Sequence, residues 1–209
     1  MAPRDEHDYN QRRQQIIEGA LRVFADKGFE KATNKDIAQA AGIGSPGLIY
    51  HYFADKDDLF QRVLEHHLPI FRILEQGERI YAMPPHEALL LITHTIFGVL
   101  NDPIKITFIK LTIGEAIRRP ELADLVGRLL PGRGLRFLSN YFEYLMDQGV
   151  LRRAEPRALA RTFIGAILAY IITVVVFKQP DLVVVTPEVM AQTLVDTFLN
   201  GALVERAQA

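Results

Sequence analysis

The sequence predicts an all-α chain: an N-terminal three-helix helix-turn-helix domain joined to a larger helical domain. Three observations carry that prediction. Two short helix signatures flank a glycine turn between Thr33 and Phe53. Apolar residues recur at helical spacing elsewhere in the chain. Proline-led starts and glycine stops punctuate it where one helix gives way to the next.

The first helix is expected over Gln11–Lys27, where Ile17, Leu21 and Phe24, and Ile16, Ala20 and Val23, keep a helical period. Residues 1–9 are polar and are expected to fray. Thr33 is a good N-cap for the second helix, and Asp36 suits the positive end of its dipole. Ile37, Ala38 and Ala41 form its small apolar face, Gly42 stops it, and Ile43 can plug the angle that follows. Ser45 and Pro46 start the third helix, with Leu48, Ile49, Tyr52 and Phe53 as its buried side. Asp55 then caps a long helix over Asp55–Gln76, kinked at Pro69, that connects this head to the rest.

Two short helices crossed about a glycine turn make a helix-turn-helix, whose second helix enters the DNA major groove by its N-terminal end. Ser45, Pro46 and Gly47 are small enough for that end to lie close to a duplex, and its free backbone N–H groups can meet a phosphate. Tyr50 and His51 carry polar tips one turn on. Lys56 is a cation in an acidic first turn, unfavourable for the dipole, which suggests a phosphate contact. Charge gives no help: residues 1–67 hold nine Lys+Arg and eleven Asp+Glu, and 9 − 11 = −2. A basic face would require Arg4, Arg12, Arg13, Lys31, Lys35 and Lys56 to gather on one side.

The segment Ile17–Leu59 resembles the N-terminal domain of the TetR family of one-component transcriptional regulators. The resemblance rests on Ile17, Ala20, Leu21, Phe24 and Lys27-Gly28-Phe29, then on Thr33, Ile37-Ala38, Ala41-Gly42-Ile43, Gly47, Ile49-Tyr50, Tyr52-Phe53, Lys56 and Leu59. It covers about a fifth of the chain. The turn departs from the family pattern by one extra residue, Gly44, and Leu48 stands where a small hydroxyl residue is usual. The residues expected to contact double-stranded DNA are Thr33, Asn34, Lys35, Gly44, Ser45, Pro46, Gly47, Tyr50, His51 and Lys56. The expected domains are 1–54 for DNA binding and 55–209 for effector binding and dimerisation.

Beyond the loop at Met83-Pro84-Pro85, helices are expected over His86–Leu100, Pro103–Arg118, Pro120–Leu130, Gly134–Gln148, Pro156–Lys178 and Pro187–Arg206. Pro131-Gly132 separates two of them, and Leu182–Val185 reads as an extended loop. Phe163–Phe177 is fifteen residues without a charge. At helical rise it reaches roughly 22 Å, short of a hydrocarbon core, so it is expected to be buried by protein and not by membrane. By analogy with the family, its second partner is the same helix of another subunit, with Leu168, Ile171, Val175, Val189, Leu194 and Phe198 as candidate homodimer contacts. A larger intrachain core is the competing reading.

The resemblance also implies a small-molecule effector, apolar or amphipathic, held in the second domain. Candidate lining residues are Phe71, His94, Phe97, Phe108, Thr112, Phe137, Tyr141, Phe163 and Tyr170, with Thr107, Asn140 and Thr173 as further polar groups. Core packing is the competing reading for each aromatic, and His94 reads more simply as a core histidine.

The chain has no cysteine, which removes disulfides, thiolate sites and cysteine nucleophiles. No Gly-x-Ser-x-Gly elbow occurs, so the common hydrolase signature is missing. His66 and His67 are adjacent and are expected to point to different sides of a helix, unable to chelate together. No cofactor is expected. The composition, 49% hydrophobic and 23% charged, is that of a soluble protein, and with no secretion signal the expected place is the cytoplasm. Two functions follow. The first is a dimeric ligand-responsive repressor, and the second is a helical ligand-binding or interaction module that no longer reads DNA.

Overall fold

The structure, a computed structural model, describes residues 3–129, 131–177 and 184–202. Among them the elements are all helical. In chain order they are α1 (Pro3–Lys31), α2 (Asn34–Ala41), a 3₁₀ turn Pro46–Leu48 running into α3 (Ile49–Tyr52), α4 (Lys56–His67), α5 (Pro69–Glu75) and α6 (Gly77–Ala82). There follow α7 (Pro85–Phe97) with a 3₁₀ turn to Asn101, α8 (Pro103–Arg118), α9 (Pro120–Leu129), α10 (Pro131–Asp147), α11 (Pro156–Ile172) with a π turn Thr173–Phe177, and α12 (Pro187–Ala202).

These helices form two compact units. One comprises the described residues up to Leu68 together with Asp102–Val126, and the other Pro69–Asn101 together with the described residues from Gly127 onward. The boundary expected at 54/55 therefore falls inside the first unit. The cause is α8, which lies along α1 and adds Phe108 to an aromatic run. Phe24, Phe29, Phe60 and Phe108 follow one another, with ring centroids 4.9 to 5.9 Å apart. Ile16, Ile17, Leu59 and Leu64 complete that core, each at 2% exposure or less. Burying one such side chain stabilises the unit by roughly 1.5–3 kcal/mol.

Residues 1–9, expected to fray, are helical from Pro3 onward. Tyr9 supplies the reason: its ring lies 4.7 Å from Tyr52 and 6.0 Å from His51, so the first turns have tertiary partners. The long helix expected over Asp55–Gln76 is broken and not merely kinked. Leu68 is extended (φ −88°, ψ 133°), as the residue before a proline is forced to be. That break is where the chain leaves the first unit.

In the second unit α7, α10, α11 and α12 enclose a core in which Phe142, Phe163 and Phe198 meet at 5.1 to 6.1 Å. Helix α10 begins at Pro131, so Pro131-Gly132 is its first turn and not a separator. Proline suits that place because the N–H it lacks has no helical acceptor there. Gly149, at φ 70°, ends the helix. The Val150 N–H returns to the Leu145 carbonyl at 2.9 Å. Leu182 and Val183 of the expected loop lie outside the described residues, while the Tyr170 hydroxyl donates to the Val185 carbonyl at 2.7 Å.

Helix α11 and its π turn run unbroken for 22 residues, and an 18-residue window within them has a mean hydropathy of 2.2. The helix extends beyond the fifteen uncharged residues, and by length and hydropathy alone it would reach across a membrane. It is not buried all round. Phe163, Ile167 and Tyr170 enter the core, while Leu168, Ile172, Val176 and Phe177 are exposed.

Candidate nucleic-acid interface

Local chemistry shapes the start of α2. Thr33 Oγ1 accepts the Asp36 N–H at 3.2 Å, and Asp36 Oδ2 accepts the Thr33 N–H at 3.2 Å, which is a capping box. The Lys27 ammonium lies 2.8 Å from Asp36 Oδ1. Lys27, then Thr33, hold the Asp36 carboxyl down at about 2. The other end of α2 closes as a Schellman motif. Gly42 sits at φ 66°, its N–H reaches Gln39 at 3.2 Å, and the Ile43 N–H reaches Ala38 at 3.0 Å. Ile43, 8% exposed, fills the angle to the next helix.

Ser45 caps the 3₁₀ turn, its Oγ accepting the Gly47 N–H at 3.3 Å. Pro46 follows as the first helical residue. Ile49 and Phe53 anchor α3 in the core at 2% exposure each. Leu48, expected on the buried side, is 36% exposed instead. It belongs to the 3₁₀ turn, whose tighter period rotates it off the inward face. The extra Gly44 faces open space, and a side chain there would meet nothing within 4 Å.

Of the residues expected to contact DNA, Thr33, Lys35, Gly44, Ser45, Pro46, Gly47, Tyr50 and His51 are exposed, and Asn34 is half-buried. Tyr50 is 61% exposed. Lys56 differs. Its ammonium donates to the Glu30 carbonyl at 3.0 Å and lies 4.7 Å from the centre of the Phe29 ring. Burial there lowers its pKa. The cation in an acidic turn thus has a structural explanation: it ties α4 to the end of α1. Arg13 is likewise spread over Phe53 at 5.2 Å, and Arg12 bonds Gln15 at 3.0 Å. The Arg4 side chain lies outside the described residues.

Of the eleven acids in residues 1–67, four are ion-paired with Lys or Arg among the described residues, one of them with α8's neighbour Arg119. Asp36 is paired with Lys27, Glu30 with Arg119, and Asp58 and Glu65 with Arg62. One cluster was missed. His66 and His67, expected to diverge, both turn toward Glu18 of α1, with their Nε2 atoms 3.7 and 3.6 Å from its Oε1. They end α4, and an imidazole is long enough for both to reach back. Burial lowers the His67 pKa to about 4.

The effector candidates divide between the units. Phe108 and Thr112 are buried in the first, so they cannot line a cavity internal to the second. His94 is exposed on α7, one position beyond the buried Ile92-Thr93 pair, and is not a core histidine. Thr107 and Asn140 are also exposed. Phe71, Phe97, Tyr141, Phe163 and Tyr170 are buried in the second unit, and Phe137 is half-buried 6.0 Å from Tyr81. Tyr141 is fully buried, and its hydroxyl meets no hydrogen-bond partner. Burial raises its pKa to about 12.

Of the dimer candidates, Leu168 and Val189 are exposed. Val175 is buried, and Ile171, Leu194 and Phe198 pack against the chain's own core. Ile172, Val176 and Phe177, which were not among the candidates, are exposed as well. For Ile172 and Val176 the i, i+4 spacing from Leu168 was the available signal.

A capped helix, a Schellman turn and a short second helix with small exposed residues at its start define a helix-turn-helix DNA-binding protein. The chain belongs to the TetR family. Residues 16–63 match the bacterial regulatory proteins of that family, and residues 87–201 match the C-terminal domain of AefR-like transcriptional repressors. It is 29% identical over 163 residues to the transcriptional repressor AcnR of Corynebacterium glutamicum, covering 75% of this chain and 77% of that one. It is 40% identical over 91 residues to the repressor Rv1474c of Mycobacterium tuberculosis, spanning 44% of this chain and 40% of that one. The fold superposes on the fatty acid degradation regulator FadR of Bacillus halodurans with a TM-score of 0.70 at 20% identity, covering 90% and 98% of the two chains. The family is one of transcriptional regulators, not enzymes.

Proposed function

We propose that this protein is a cytoplasmic repressor that binds an inverted-repeat operator as a homodimer and is released by a small-molecule effector. The carrying observation is the exposed run Ser45-Pro46-Gly47 immediately ahead of Tyr50 and His51. Small residues let the start of the second helix approach base edges, and the two aromatic tips follow within one turn. Thr33, Asn34 and Lys35 at the start of α2 supply contacts to the phosphate backbone. Lys56 orients the head from within.

The exposed stripe Leu168, Ile172 and Val176 supports dimerisation, and Phe177 and Val189 are exposed too. Leu168, Ile172 and Val176, in water on one helical face, favour a self-complementary, isologous contact. Two half-sites one helical turn apart, or a multiple of it, then match the two heads.

The unpartnered hydroxyl of Tyr141 supports an effector site in the second unit. An amphipathic molecule with a hydrogen-bond acceptor would satisfy it beside Tyr81 and Phe142, whose rings lie 5.3 and 6.0 Å from that of Tyr141. Occupancy favours a head spacing that no longer fits both half-sites, and the break at Leu68-Pro69 is where the chain accommodates the change.

The test is selection of sites from random duplex DNA by the purified protein at two salt concentrations. An enriched inverted repeat is expected, with occupancy falling at the higher salt. A folded protein that enriches nothing at low salt would exclude specific DNA reading and favour the interaction module.

A further inference from the structure

We propose that Glu18, His66 and His67 form a binding site for a divalent transition-metal ion, zinc above all, that clamps the last turn of α4 to α1. The three donor atoms all lie within 4.8 Å of one another. Glu18 Oε1 is 3.7 Å from His66 Nε2 and 3.6 Å from His67 Nε2. A tetrahedral zinc with ligands at 2.0–2.1 Å requires donor separations of about 3.3 Å. Two of the three separations are therefore already close. The third closes by rotation of His66, whose side chain is 45% exposed, once the ion displaces Gln14.

The second observation is an unpaired buried nitrogen. The His67 side chain is 7% exposed, and its Nε2 has no hydrogen-bond partner. A buried polar atom left unsatisfied is costly and calls for an explanation. With Nδ1 carrying the proton, Nε2 offers a lone pair toward Glu18, which is the arrangement a metal ligand needs.

Gln14 marks where the cation would go. Its Nε2 lies 3.0 Å from Glu18 Oε1 and 2.8 Å from His66 Nε2. The partially positive amide group spans two of the three lone pairs. A metal ion would replace its two hydrogen bonds by coordination and also engage His67, which the amide does not reach. The donor set selects the metal. Two imidazoles and one carboxylate suit Zn²⁺, Ni²⁺, Co²⁺ and Cu²⁺, while Ca²⁺ and Mg²⁺ prefer all-oxygen shells. Three protein ligands leave one position for water on the exposed side.

The experiment is titration of the full-length, chelator-stripped protein with Zn²⁺ by calorimetry, with thermal unfolding alongside. One ion per chain should bind with a Kd of about 10 µM or tighter and raise the Tm. Mg²⁺ should do neither. Glu18→Gln keeps the shape of a half-buried side chain and His66→Ala alters an exposed one, so both should keep the helical circular dichroism while weakening zinc binding at least about tenfold each. Co²⁺ should give visible d–d absorption that both variants lose. Binding weaker than about 100 µM, or affinity and spectrum unchanged in the two variants, would overturn the site and leave the cluster as a packing feature. His67→Ala is not used, because it would empty a buried position.

Discussion

A Cβ placed on Gly19 would stand 2.7 Å from the backbone nitrogen of Ala41 and 2.9 Å from its Cβ. Helices α1 and α2 touch there with no room between them. That contact sets how α2, and with it the turn and α3, is carried on α1. Gly19→Ala gains up to about 1 kcal/mol of helix propensity but forces backbone apart, which costs roughly 1–3 kcal/mol. We expect a net loss of stability in urea denaturation and weaker DNA binding. Gly44→Ala, which meets nothing, should change stability by less than about 0.5 kcal/mol. Equal behaviour of the two variants would contradict the close approach.

Acid should loosen the start of α2. The folded pKa of Asp36, about 2, lies below its ordinary value of 3.8, chiefly through Lys27 and then Thr33. A depressed carboxylate stabilises the fold above its unfolded pKa. That contribution is lost as pH falls through the window between about 4 and about 2. Asp36→Asn should flatten the stability profile in this window, as followed by circular dichroism. An unchanged profile would rule out Asp36 as its source.

Tyr141→Phe should leave stability unchanged or raise it by about 1 kcal/mol, because the hydroxyl removed is buried without a partner. The same variant should lose sensitivity to any effector that releases the wild type from DNA. A fall in Tm would mean that the hydroxyl is bonded in solution.

Tyr50→Ala removes a side chain that is 61% exposed. Stability should stay within about 0.5 kcal/mol of wild type, and operator affinity should fall tenfold or more in a fluorescence anisotropy titration. Lys56→Ala is a poorer probe, since it also frees the Glu30 carbonyl and the Phe29 ring that the ammonium covers.

Ile172→Glu places a charge in the middle of the exposed α11 stripe. Sedimentation at micromolar concentration should show wild-type dimers and variant monomers of unchanged helicity. A monomeric wild type would remove the dimer from the mechanism.

Much of the head was legible because its signals are local. Thr33, Gly42, Ser45 and Pro46 act on backbone groups within a few residues of themselves, so their spacing in the chain is their spacing in space. The site was less legible wherever partners come from afar. Lys56 reads as a phosphate contact until Glu30 and Phe29 are seen beside it. His94 reads as core until α7 is given a rotation. Val175 and Phe198 read as interface because an apolar helix does not say which of its faces its own domain will take.

The sequence alone determined the helical class, the family, the caps and the turn of the reading head. All of these follow from short-range hydrogen bonding and from the conformations that proline and glycine allow. Tertiary structure alone decided that α8 packs with α1, that Leu168 and Ile172 stay in water while Val175 does not, and that Glu18 meets His66 and His67. Those outcomes depend on which surfaces pack together over long chain separations. There, burial of apolar area and the matching of helix faces set the arrangement, and no spacing along the chain encodes it.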